Sequence, residues 1–182
     1  MRGGVVRRRD RQAGFTTLEV VFVVVILAAL LGLAFPAYQR VLMERRVQNT
    51  VREIAADVRV AQQAAVAKSA EARCVGVAFE ERRVGVYVVP QDASFDCTNP
   101  DAAGLRAYGV LLNSQEYPAG VTVDHRPRDA LAFVPSGLVY PTCAGQSCTA
   151  FQVTVRGGGH TRSVCVNTAG LVTVPSPGEA CP

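Results

Sequence analysis

Residues 14–38 read GFTTLEVVFVVVILAALLGLAFPAY, and this stretch decides the fold. Residues 20–35 form a run of sixteen without a charge or a hydrogen-bonding side chain, and Glu19 is the only charge between positions 15 and 38. A helix over residues 15–38 would be roughly 36 Å long, which is enough to cross the hydrocarbon core of a bilayer. The stretch therefore predicts a membrane-spanning helix with one carboxylate near its start.

Positive charge is concentrated ahead of this stretch. Residues 1–14 contain five arginines and one aspartate, and the other 168 residues contain 14 basic and 14 acidic side chains. Arginines on one side of a membrane span hold that side in the cytoplasm. We therefore expect a cytoplasmic N-terminus, and the net charge of +4 is no sign that the body of the protein binds nucleic acid.

Composition alone leaves three interpretations of this segment open. One is a cleavable secretory signal with residues 32–34 as its cleavage site, but the apolar region is long for a signal and Glu19 stands at its head. A second is a plain membrane anchor, in which Glu19 has no role and costs about 2.5–3.5 kcal/mol at mid-membrane. The third interpretation gives Glu19 a role and follows from a family resemblance.

The segment resembles the N-terminus of type IV pilins and of the pseudopilins of type II secretion. In those proteins a short basic leader ends in Gly, the mature chain begins with Phe, and Glu is its fifth residue, followed by a long apolar run. Here the leader would end at Gly14, with Phe15 as the first mature residue and Glu19 as the fifth. Pro36 falls where many members have a helix-kinking proline, whereas Thr17 departs from the bulkier apolar residue that is usual there.

This resemblance implies a membrane-embedded prepilin peptidase that cuts between Gly14 and Phe15, and N-methylation of Phe15. It also implies that Glu19 guides assembly. The freed amine of one subunit can meet the carboxylate of its neighbour, and their attraction rises as the dielectric constant falls. The carboxylate would then favour the assembled state and set its register. The alternative is that Glu19 merely lies at the headgroup boundary of the membrane.

The predicted helix continues beyond the membrane segment. Residues 40–72 contain no Gly or Pro, and their apolar residues recur at intervals of four and three, which places them on one face of a helix. These residues are Val47, Val51, Ile54, Val58, Ala61 and Ala65. We predict one helix from about Thr16 to Ala72, roughly 85 Å long, although two helices hinged at Pro36 would serve the same function. The predicted divisions are a leader over 1–14, a span over 15–38, an amphipathic continuation over 39–72 and a head over 73–182.

From Arg73 onward the sequence changes to short β-rich runs that are separated by Gly and Pro. Residues 74–79 and 84–89 predict a hairpin around a charged turn, and residues 90–105 predict a polar loop that contains Cys97. Further strands are predicted over 108–112, 121–124, 131–134, 151–156, 163–167 and 171–174. The predicted fold class is α+β, with one long helix against an antiparallel sheet or two small sheets.

The second half of the chain is similar to the GspH/FimT group of minor pilins. That group shares an apolar-Pro-x-Gly turn before a strand and a closing strand-turn-Gly-strand. Here residues 133–137 read FVPSG, and residues 163–167 read SVCVN and are followed by Gly170. The resemblance covers most of the chain. It implies a structural subunit that primes, caps or decorates a type IV pilus or a type II secretion pseudopilus.

All six cysteines lie beyond the predicted membrane segment, which is the side where disulfides form if the N-terminus is cytoplasmic. Six cysteines allow fifteen connectivities. Sequence proximity favours the pairs Cys74–Cys97, Cys143–Cys148 and Cys165–Cys181. A zinc site with Cys143 and Cys148 as half of its ligands is the alternative, but this spacing is loose and the sequence has no C-x2-C pair. We therefore expect no metal and no cofactor.

The sequence contains none of the catalytic motifs that we sought, neither G-x-S-x-G nor H-E-x-x-H, and we do not expect an enzyme. DNA is the alternative partner, because some FimT-type minor pilins are DNA receptors and Arg156, His160 and Arg162 cluster around a glycine turn. Against it, the chain beyond position 14 is neutral overall. The expected partners are other pilins, the prepilin peptidase and the cytoplasmic membrane, with the head periplasmic or extracellular.

Overall fold

The computed structural model describes residues 16–140 and 151–181, and it shows an α+β protein. The elements in chain order are α1 (Thr17–Ala67), β1 (Ala72–Phe79), β2 (Arg83–Pro90), α2 (Ala102–Tyr108), β3 (Val110–Glu116), β4 (Thr122–Arg126), β5 (Ala130–Phe133), β6 (Val139–Tyr140), β7 (Phe151–Gly157), β8 (His160–Val166) and β9 (Val172–Thr173). The predicted fold class is confirmed. The chain divides between Gln39 and Arg40 into two compact units.

The first unit contains the N-terminal part of α1, up to Gln39. Its side chains are exposed from Thr16 onward, and its most apolar stretch has a mean hydropathy of 2.9, so that length and composition suffice for a membrane crossing. The Glu19 backbone N–H donates a hydrogen bond to the Thr16 hydroxyl at 3.3 Å, so Thr16 caps the N-terminus of α1. Pro36 lies inside the helix, where it has no N–H to donate to the preceding turn.

In the second unit α1 buries one face. The buried side chains are Val47, Thr50, Val51, Ile54, Ala55, Asp57, Val58, Ala61 and Ala65, and they include the whole predicted stripe. The helix ends at Ala67, before the predicted end at Ala72. Ala72 pairs with Pro90 and opens β1, and its N–H donates to the Lys68 carbonyl at 2.8 Å in the intervening turn. Pairing within the sheet therefore overrides the helical tendency of this alanine-rich segment.

The strands form two antiparallel sheets, with the orders β3-β2-β1-β5-β6 and β4-β7-β8-β9. Strands β1 and β2 of the first sheet are buried on both faces, and this explains their nearly continuous apolar sequence, whereas the edge strand β3 is mostly exposed. One face, with Val75, Val77 and Phe79, shares a core with α1 and with the inner face of the second sheet. The other face, which includes Ala78 and Tyr87, packs into a separate smaller core.

Helix α2 helps to cover this other face. It begins at Ala102, so the prediction of a polar loop over residues 90–105 is wrong for the last four of these residues. The Asp101 carboxylate caps α2 by accepting a hydrogen bond from the Gly104 N–H, and Leu105 is fully buried. A side chain at Gly76 of β1 would collide with Leu105, so the glycine makes room for the helix. Because α2 takes up residues to Tyr108, β3 starts two residues later than the predicted strand.

Among the described residues, two disulfides fasten the loops of the head. Cys74 in β1 is joined to Cys97, and Cys165 in β8 is joined to Cys181 in the C-terminal tail. These pairs are two of the three that sequence proximity favoured. The predicted pair of Cys143 and Cys148 lies outside the described residues. Bridges of this kind stabilise a small domain by about 2–4 kcal/mol each.

The core between α1 and the sheets should dominate the stability of the second unit. Ile54 is fully buried in it, whereas Val60 on the same helix is 40% exposed. We expect Ile54→Ala to lower the free energy of unfolding by about 2–5 kcal/mol, because it removes transfer energy and leaves a cavity. The matched control, Val60→Ala, should change it by about 0.5 kcal/mol or less. Urea unfolding of residues 40–182 measures both, and similar losses for the two variants would contradict the described core.

Candidate assembly site

Glu19 lies in the first turn of α1, where the helix dipole favours a carboxylate. Among the residues that the structure describes, it has no ion-pair partner. The large apolar side chains from Leu18 to Phe35 surround the helix on every side and are 50–77% exposed. A helix with this all-round apolar surface requires lipid or other apolar helices around it. The predicted cleavage and methylation residues, Gly14 and Phe15, lie outside the described residues.

The three residues predicted to bind DNA do not lie on one face. In the β7–β8 hairpin Arg156 pairs with Thr161, whereas Arg162 pairs with Val155 and His160 with Gly157. Val155 is fully buried, so Arg162 lies on the side of the sheet that faces the core, at its edge. Neighbouring positions of a strand point to opposite faces, and Arg156 therefore lies on the outer face. The hairpin brings His160 and Arg162 to one face and separates them from Arg156.

Arg162 instead shares a groove with α1, an arrangement that the sequence analysis missed. Arg52 and Arg162 line a groove of about 320 Å³, and its other lining residues are Gln48, Val51 and residues 174–177. A second groove, of about 440 Å³, is lined by Arg59, Gln62, Gln63 and residues 169–172. The overlooked signal is the seven-residue spacing of Arg45, Arg52 and Arg59, which places three guanidinium groups on one side of a helix.

A buried carboxylate fastens α1 to the edge strand β3. Asp57 is 6% exposed, and the Asn113 side-chain amide donates to its Oδ1 at 2.8 Å. Burial raises the pKa of Asp57, and the charge of Glu53 raises it further, while the hydrogen bond from Asn113 opposes the shift. The Tyr117 hydroxyl is buried nearby and has no hydrogen-bond partner among the described residues; burial and the charges of Asp57 and Glu80 raise its pKa. Asp57, Asn113 and Tyr117 thus have a structural role in holding α1 against β3, and they are distant in sequence from the candidate assembly residue Glu19.

A family comparison accounts for the helix and the sheets together. The model of the family described as type II transport protein GspH matches residues 50–170, which is about two thirds of the chain. The chain belongs to the GspH family. The matched residues begin on the buried face of α1 and reach the turn before β9, so they include both sheets and α2. Comparisons with curated proteins and with solved structures found no match.

Membership of the GspH family confirms the resemblance to type IV pilins and pseudopilins. Members are structural pseudopilin subunits of type II secretion and associate with other pilins, and the apolar N-terminal part of α1 fits a subunit that is anchored in a membrane. Within residues 16–140 and 151–181, no three His, Cys, Asp or Glu side chains are grouped as metal ligands. The candidate functional surfaces among the described residues are the apolar part of α1 and the grooves beside Arg52 and Arg59.

The raised pKa of Asp57 predicts how the stability of the head depends on pH. The folded state holds the Asp57 proton more tightly than the unfolded chain, so the contribution of this group to stability falls as pH rises through the interval between the two pKa values. Asp57→Asn keeps an oxygen for Asn113 and removes the titration. The variant should therefore gain stability relative to the native head as the pH rises from about 4, the ordinary pKa of an aspartate, through the raised pKa of Asp57.

Urea unfolding of residues 40–182 across this pH range measures the difference between the two proteins. Asp124→Asn is the matched control, because Asp124 lies on the exposed outer face of β4, and its pH profile should follow that of the native head. A difference between Asp57→Asn and the native head that stays constant with pH would contradict the described environment of Asp57.

Proposed function

We propose that this chain is a minor pseudopilin that primes, caps or decorates the pseudopilus of a type II secretion system, after prepilin peptidase has removed residues 1–14. The observation that supports this proposal best is that one helix, α1, contains both an exposed apolar segment with the single charge Glu19 and a stripe that is buried in a head of the GspH family. Such a subunit needs an apolar environment for its first unit and water for its second. The membrane supplies the apolar environment before assembly, and a bundle of neighbouring helices supplies it afterwards.

Glu19 is the residue on which we base the assembly mechanism. A carboxylate among apolar side chains is costly in a membrane, about 2.5–3.5 kcal/mol at the bilayer centre and less near its surface. In the filament the free amine of a neighbouring Phe15 would lie against it, and two opposite charges about 4 Å apart attract by about 4 kcal/mol at an effective dielectric constant of 20. Assembly would then relieve a cost that the lone subunit bears in the membrane. Only one axial offset between neighbours makes this contact, so the same pair sets the register.

The remaining parts of the chain have simpler roles in this proposal. The arginines of residues 1–14 hold the N-terminus in the cytoplasm, where the peptidase cuts before Phe15. The head then lies on the periplasmic side, where disulfides such as Cys74–Cys97 and Cys165–Cys181 form and persist. Between type IV pilus and type II secretion pseudopilus, the family description favours the secretion machine.

The first experiment measures the N-terminus and the intact mass of the unreduced protein extracted from its native membrane. We expect a chain that starts at methylated Phe15, with a mass six hydrogens below that of the reduced chain if all six cysteines are paired. A chain that starts after Ala34 would identify a secretory signal, and one that starts at Met1 would identify a plain anchor. Either result would contradict the proposed processing.

Replacement of Glu19 tests the assembly mechanism separately from processing. We expect Glu19→Gln to be cleaved and methylated as the native chain is, but to fall at least tenfold in filaments sheared from cells, which corresponds to about 1.4 kcal/mol. Glu19→Asp keeps the charge and should retain more assembly than Glu19→Gln. Quantitative immunoblots of the filament and membrane fractions give both ratios. Native recovery of Glu19→Gln in filaments would show that the charge has no role in assembly and that Glu19 only marks the membrane surface.

A further inference from the structure

Two grooves follow one another along the same side of α1, and together they form what we call the arginine groove. One wall is α1 from Gln48 to Gln63, and the other wall is the chain segment 169–177, which comprises the last turn, β9 and the beginning of the tail. Three arginines line it: Arg52, Arg59 and Arg162. The positions from 48 to 63 extend over roughly 22 Å of helix at about 1.5 Å per residue. The groove is therefore long enough for a short peptide segment.

The charge of the arginine groove is unbalanced. No aspartate or glutamate is among its lining residues, and within the described part of the chain none of its three arginines has an ion pair or a hydrogen bond through its side chain. Two carboxylates that neighbour the lining residues are engaged elsewhere: Glu44 accepts from the Gln48 amide at 3.1 Å, and Glu179 accepts from the Ser176 N–H at 2.9 Å. Because the chain beyond position 14 has equal numbers of acidic and basic residues, this concentration of positive charge is local.

The walls of the groove also present apolar side chains to solvent. Leu171 is 60% exposed and Val174 is 45% exposed, and Pro175 and Pro177 line the same wall. The disulfide between Cys165 and Cys181 ties the end of the tail to β8, so this wall is fastened at both ends of residues 166–180. The groove is thus a formed surface that combines positive charge with exposed apolar area.

We propose that the arginine groove binds a segment of a neighbouring pilin subunit that carries both carboxylates and apolar side chains. Guanidinium groups pair with carboxylates in a bidentate geometry, and the exposed Leu171 and Val174 would be covered by the apolar residues of the segment. A nucleic-acid backbone would meet the same charges but would leave these apolar side chains uncovered. That the partner is another subunit rests on the proposed function.

Graded charge substitutions in the full chain test this inference. The double variants Arg52→Gln/Arg162→Gln and Arg52→Glu/Arg162→Glu remove and reverse the charge of the groove. The matched control, Arg82→Glu/Arg128→Glu, makes the same charge reversal at two exposed arginines whose side chains have no bond to the described residues. We expect recovery in sheared filaments to fall about threefold for the glutamine pair and at least tenfold for the glutamate pair, and to change less than twofold for the control.

The outcomes separate this inference from the proposed function. If the native chain is absent from filaments, the proposed function fails whatever the groove does. If the native chain assembles and the groove variants assemble equally well, the groove does not bind a subunit and the inference is wrong. The degree of Phe15 methylation should be native in all variants, because processing precedes assembly. Loss of the disulfide Cys74–Cys97 or Cys165–Cys181 in the glutamate pair alone would trace its effect to misfolding of the head, and recovery of the glutamine pair would then test the inference.

The chemistry of the occupant is tested by a photo-crosslinking residue in place of the exposed Gln63, in the full chain within native filaments. A crosslinked peptide from another pilin that contains Asp or Glu beside apolar residues supports the inference. A crosslink that nuclease removes would identify DNA instead. A crosslink to a basic or wholly apolar peptide, or none in filaments that contain the variant, would also overturn it.

Discussion

The head depends on the burial of one narrow face of α1. The two sheets share no strand pairing among the described residues, and they belong to one core because both pack around Ile54, Val58 and their neighbours on the helix. Small residues at Ala61 and Ala65 let the sheets approach the helix axis where the stripe ends. Before residue 40 the same helix is apolar on all sides, so one part of it requires an apolar environment and the other part requires water. The head therefore forms on the part of α1 whose other faces tolerate water.

Polar groups on the flanks of this stripe set where each sheet can lie. Asp57 is at the border between the buried face and solvent, and only the Asn113 amide of β3 reaches it in the described structure. A lone buried carboxylate would cost several kcal/mol, so the position of β3 is tied to that of the helix. On the opposite flank α1 carries Arg52 and Arg59 and no engaged partner. The charged group on one flank is thus hydrogen-bonded within the chain, whereas the arginines on the other flank remain available to a partner.

Local periodicity predicted the parts of the fold that local sequence controls. The stripe of α1 has the period of a helix, and the β1–β2 hairpin joins two apolar runs across a short charged turn, so both could be read directly. The end of α1 at Ala67 and the start of β3 could not, because they depend on the distant pairings of Ala72 with Pro90 and of Tyr87 with Leu111. Helix α2 was not predicted because it depends on the packing of Leu105 against Gly76, and the local sequence of neither segment indicates this contact.

The placement of the arginines shows why a cluster in sequence is not a cluster in space. Arg156 and Arg162 flank a two-residue turn, Gly158–Gly159, whose φ angles of 56° and 84° are those of the left-handed region and favour glycine at both positions. This turn fixes the pairing of Gly157 with His160, and that pairing assigns Arg162 to the side of α1 and Arg156 to the outer face. A shift of the register by one residue would exchange the faces of the β8 side chains. The charge that Arg162 adds beside Arg52 therefore depends on two glycines that line neither groove.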